Sequence, residues 1–111
     1  MKEFKLIVAG GRDFTDAEHL SRVLFAMADV ELADHSLRIV SRTYRGVEIL
    51  GRTFAKANGI NQQRLFNHES MHYMCEISDG LLAFHNGSSR STAQLIEIMQ
   101  SLNKPVTVIP Y

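Results

Sequence analysis

Lys5-Leu6-Ile7-Val8-Ala9-Gly10-Gly11-Arg12-Asp13 decides the fold. Its apolar half is short and unbroken, and it stops at two glycines. Such a run fits a strand covered on both faces, as in a parallel sheet, rather than a strand with one wet side. Thr15-Asp16-Ala17-Glu18 follows and matches a capping box. Behind it, Leu20, Val23, Leu24 and Met27 recur at helical spacing, which predicts a helix over 15–29.

The same alternation continues outward. Residues 37–41 read as a second strand, and 46–58 as a helix with Val47, Leu50, Phe54 and Ala57 on one face. Asn58-Gly59 is its stop signal. Residues 60–66 read as a third strand, at an edge. Asn67 is placed to cap a short helix carrying Met71, Met74, Cys75 and Ile77. Gly80-Leu81-Leu82-Ala83-Phe84 is a second buried strand. A turn leads to a helix over 89–102, and 106–109 is the last strand. The Ser91-Thr92-Ala93-Gln94 run fits a capping box for that last helix.

Strict β-α alternation predicts an α/β fold, a doubly wound parallel sheet of about five strands with right-handed crossovers. In such sheets ligands sit beyond the carboxyl ends of the strands, beside the topological switch point. With strand order 3-2-1-4-5, the turns after strands one and four flank that point.

Composition frames the ligand. The 111 residues carry 12 Lys+Arg and 12 Asp+Glu, so the formal net charge is zero. That argues against a general nucleic-acid coat or a polybasic membrane binder, but allows a local basic pocket. The length suits one domain over 1–111. Cys75 is the lone cysteine, which excludes an intrachain disulfide and paired-Cys zinc sites. No apolar run approaches the ~18 residues of a membrane span. No signal-peptide pattern precedes the first strand, and a soluble cytoplasmic protein is expected.

Three turns carry the chemistry. In the first, Gly10 and Gly11 let the backbone approach a ligand, Arg12 offers a planar fork for phosphate, and Asp13 accepts from a ribose hydroxyl. The second, Ser41-Arg42-Thr43-Tyr44-Arg45-Gly46, places two cations, hydroxyls and an aromatic at one strand end. Tyr44 would stack on a base while Arg42 and Arg45 hold phosphate. The third runs His85-Asn86-Gly87-Ser88-Ser89-Arg90-Ser91-Thr92 into a helix N-terminus, an anion cradle of backbone and hydroxyl donors.

The runs 7–16, 39–46 and 78–92 together resemble the YspA-like branch of the SLOG superfamily, whose Rossmann-like domains are related to DprA and to the LOG phosphoribohydrolases. The likeness spans about 5–109. It implies a Rossmann-like sheet, a small nucleotide or nucleotide-derived ligand and a homodimer or higher oligomer, with small members common in phage genomes. It assigns Gly10, Gly11, Arg12 and Asp13 to the pocket, with Gly87, Ser88, Ser89, Arg90, Ser91 and Thr92. The branch's glycine-rich second turn is replaced here by Ser41 to Glu48, in which Gly46 survives and Glu48 stands at the acidic place. Where related hydrolases carry a catalytic Glu, this chain has Gln94, and an amide cannot act as a carboxylate base.

Binding without turnover is therefore the expected function, for instance sensing or sequestering a signalling nucleotide. N-glycosidic hydrolysis through Glu48, Asp13 or Glu97 is the enzymatic alternative. A protein-interaction module with a vestigial cleft is another, and single-stranded nucleic acid is a weaker one. His68-Glu69-Ser70-Met71-His72 matches the H-E-x-x-H zinc pattern, but a short helix near a β-edge lacks a third ligand, so no metal and no cofactor are expected. Met71, Met74 and Phe66 could form an apolar dimer patch.

Overall fold

A computed structural model describes residues 2–42, 45–66 and 70–111. The elements run β1 (Lys2–Gly10), α1 (Ala17–Ala26), a π-helical turn (Met27–Glu31), β2 (His35–Ser41), α2 (Val47–Ala57), β3 (Asn61–Arg64), α3 (Met71–Ile77), β4 (Gly80–His85), α4 (Arg90–Ser101) and β5 (Val106–Pro110). All strands are parallel in the order β3-β2-β1-β4-β5. This is the Rossmann-like α/β sheet expected from the alternation of strands and helices.

The unbroken apolar runs follow from two-sided burial. Along β1, Leu6 and Val8 enter one core layer with Leu20, Leu24, Val47 and Phe54. Ile7 and Ala9 enter the other, with Met74, Cys75, Leu95 and Met99. In β4, Leu82 and Phe84 join the first layer while Leu81 and Ala83 join the second. Over residues 6–9 and 80–84 neither face meets water, and those stretches carry no polar side chain.

Local signals differ in detail. The cap of α1 is Asp16, whose carboxylate accepts from His19 N at 3.0 Å, rather than Thr15. An anionic cap also complements the helix dipole, which a hydroxyl does not. The helix is shorter than expected. At Met27 it widens, and Leu32 N bonds Met27 O at 2.9 Å, five residues back. Ser89, not Ser91, caps α4 by accepting from Thr92 N at 3.3 Å. Asn67 lies outside the described residues; α3 is capped by Ser70, which accepts from Tyr73 N at 2.9 Å.

The C-terminal stops of α2 and α4 both work through a left-handed residue. Gly59 has φ +64° after α2, and Ile60 N bonds Ala55 O at 2.9 Å. Asn103 has φ +58° after α4, and Lys104 N bonds Met99 O at 3.0 Å. These are Schellman closures. The second aims Lys104 at the end of α3, where its ammonium donates to the carbonyls of Cys75, Glu76 and Ser78 at 2.7–2.8 Å. The apolar patch expected around Met74 is not there: Met74 is fully buried in the second layer and Met71 packs against it, which leaves Phe66 exposed.

Candidate functional site

The strand order sets the turns after β1 and β4 side by side. Gly11 N donates to Phe84 O at 3.2 Å, stitching the two turns. A side chain at Gly10 would run into that same carbonyl, so this crossing requires glycine. The turn after β2 docks from the other flank, where Val47 N approaches Gly11 O at 3.4 Å. Gly46 sits there at φ +78°, against the backbone of Gly11 and Arg12.

Between the first and third turns lies a cleft of about 480 Å³, lined by Gly11, Arg12, Asp13, Ser88, Ser89, Arg90 and Ser91. Its far wall is the start of α4. Asn86 shapes the approach: its Oδ1 accepts from Ser88 N at 3.0 Å and from Ser88 Oγ at 2.6 Å, and Gly87 turns at φ +94°. Ser89 Oγ lies 2.9 Å from Thr92 Oγ1. Thr92 is buried, so its hydroxyl serves the cap rather than the open cleft. A second groove of about 240 Å³ lies beyond Arg12, against Phe14, Thr15, Gly46, Ile49 and Leu50.

Asp13 is held at both oxygens. Tyr111 donates to Oδ1 and Asn86 Nδ2 lies 3.5 Å from Oδ2. Tyr111 also meets Phe14 edge-on, with ring centroids 5.0 Å apart, and its hydroxyl fills the space beside Gly11. Sequence reasoning missed this tyrosine. The strand order offered a signal, because the carboxyl end of β5 must fall beside that of β4. Phe14, Phe84 and His19 extend the aromatic cluster under the first turn.

The second turn divides. Ser41, Arg42 and Glu48 are buried. Glu48 Oε1 accepts from Arg42 N at 2.7 Å and lies 3.6 Å from Arg42 Nε. Arg45 is exposed, and Tyr44 lies outside the described residues. His85 is half-buried at the end of β4, with Nδ1 enclosed and lacking a hydrogen-bond partner among the described residues.

His68 and Glu69 also lie outside the described residues, while His72 is exposed on α3 with Nδ1 3.3 Å from Glu76. Burial pushes the Cys75 thiol up, against the opposing charges of Lys104 and Arg42, so it stays protonated at neutral pH. Among the described residues no helix is long and apolar enough to cross a membrane.

The arrangement suits an anion. Arg12 and Arg90 supply positive charge, the serines supply hydroxyl donors, and the start of α4 supplies the positive end of a helix dipole. No protein-family model, curated protein or solved structure matches the chain.

Proposed function

We propose that the cleft binds a small nucleotide or nucleotide-derived anion without turning it over, in the cytoplasm, as a sensor or sequestering protein for a signalling nucleotide. The observation that carries the reading is the placement of Arg12 and Arg90 on one cleft with Ser88, Ser89 and Ser91 at the start of α4. The resemblance to the YspA-like SLOG branch, at the same residues, supports a nucleotide over a bare anion.

Binding is favoured over hydrolysis by the state of the carboxylates. Glu48 is enclosed with Arg42, Asp13 is engaged by Tyr111 and Asn86, and Glu97 is exposed on α4. None of them is a half-buried, unengaged carboxylate inside the cleft, the placement a general acid needs.

Mass spectrometry of small molecules released from the denatured protein is the direct test, followed by calorimetry with nucleoside monophosphates. Arg12→Ala and Arg90→Ala should each weaken binding about tenfold or more, with a steep loss in salt. Absence of binding to every phosphate-bearing nucleotide would remove the proposal. Released base, lost in Glu48→Gln, would replace it with hydrolysis. The homodimer belongs to the same reading, and a monomer in sedimentation velocity would remove that part.

A further inference from the structure

The Arg12–Arg90 cleft does not end at Arg12. Arg12 also lines the groove of about 240 Å³ beyond it, together with Phe14, Gly46 and Leu50. Ile49 lines that groove and also the next, a hollow of about 300 Å³ shared with Arg52, Thr53 and Lys56 of α2 and Gln62 of β3. Two shared residues thus join three depressions in a row, from the start of α4 over the first turn and along α2.

The character of this track changes twice. The cleft is cationic, with Arg12 and Arg90. The middle groove is mostly apolar, with Phe14, Leu50 and Ile49, the last 41% exposed. The far hollow is cationic again. Arg52 and Lys56 stand four residues apart on α2, so they share a face and their charges repel. Neither makes an ion pair among the described residues, whereas Arg22, Arg38 and Arg42 each meet a carboxylate. Glu48, the one acid of α2, is buried against Arg42 and does not neutralise them. Thr53 and Gln62 add a hydroxyl and an amide as donors. A chain of zero net charge therefore carries positive charge at both ends of an apolar groove, which favours an anion at each end.

We infer that the ligand of the cleft is elongated, a nucleotide-type molecule whose phosphates are held apart by nucleoside units. One phosphate sits at Arg12 and Arg90, and another at Arg52 and Lys56. The inference rests on the reading of the cleft as a nucleotide site and adds to it a second anchor on α2. An apolar cavity of roughly 150 Å³ admits benzene, so the larger middle groove has room for a ring between the anchors. Because that groove separates the two cationic ends, phosphates spaced by a nucleoside suit them and adjacent phosphates do not. A phosphate tethered through the first anchor meets the second intramolecularly, so an exposed and individually weak site adds to the affinity.

Calorimetry on the full chain tests this with adenosine 5′-monophosphate, its linear 5′-phosphorylated di-, tri- and hexanucleotides, and ATP, which carries its phosphates side by side. The trinucleotide should bind about tenfold tighter than the monophosphate, the gain of one charged, hydrogen-bonded contact. ATP should not match it, and the hexanucleotide should add no comparable gain. Arg52→Ala combined with Lys56→Ala should return the trinucleotide to the affinity of the monophosphate. Ile49→Glu, which sets a carboxylate midway along the track, should do the same. Binding of the monophosphate with no gain in the trinucleotide, a gain that survives both variants, ATP equal to the trinucleotide, or affinity still climbing at the hexanucleotide would each overturn the inference and leave the cleft reading in place. Failure of every nucleotide, the monophosphate included, would remove both.

Discussion

Tyr111 reaches back across 98 positions of sequence to place its hydroxyl 2.5 Å from Asp13 Oδ1. The contact ties the carboxyl end of the last strand to the turn after the first, at the rim of the cleft. It also consumes one oxygen of the carboxylate that the turn offers to a ligand.

The phenol therefore titrates late. Burial, then the hydrogen bond to Asp13, then its negative charge push Tyr111 from 10.0 up to about 12. The neutral phenol is the form the fold favours, so its contribution is intact below the ordinary value and is lost as pH rises through about 12. Tyrosinate absorbance should show one late-titrating group, missing in Tyr111→Phe. That variant should also lose less stability than the parent between these two pH values. Because Tyr111 is 42% exposed, solvent screens the effect and the difference should be small.

Gly46→Ala should be severe. The residue sits at φ +78° and ψ −127°, and an added methyl meets the carbonyl of Gly11 and the backbone of Arg12. Strained conformation and backbone collision act together, and a loss of about 3 kcal/mol is expected in urea unfolding. Affinity in the cleft should fall with it, because the first turn loses its lateral support.

Glu48→Gln should cost about 3 kcal/mol, because it leaves Arg42 buried beside a neutral amide. Urea midpoints check this. The loss would be one of stability, so any assay of this variant should be run well below its melting temperature.

Lys104→Met should cost about 2 kcal/mol, since three carbonyls at the end of α3 lose a charged donor. Amide exchange should quicken first in α3, before the central strands.

Much of this architecture is legible in the residues. The runs at 5–9 and 80–84 announce two-sided burial, and the alternation around them fixes a parallel sheet. Gly59 marks the end of α2 because only a left-handed residue closes it. Other features depend on partners distant in the chain. The widening at Met27 leaves apolar spacing unchanged, so periodicity carries no sign of it. Arg42 and Glu48 read as cleft residues because a basic turn at a strand end resembles an anion site. Their burial arises only when α2 settles over the first turn. Tyr111 gains its role from strand order, which no local pattern expresses.

The two borders of the sheet bear on how the chain behaves at high concentration. The β3 border is a short polar strand, Asn61-Gln62-Gln63-Arg64, with a guanidinium at its end. The β5 border closes on Pro110, which has no N–H to offer a neighbour. Each discourages a foreign strand from pairing, by charge on one side and by a missing donor on the other. Edge-to-edge pairing is thereby disfavoured at both borders, and with it open-ended, fibre-like growth through them.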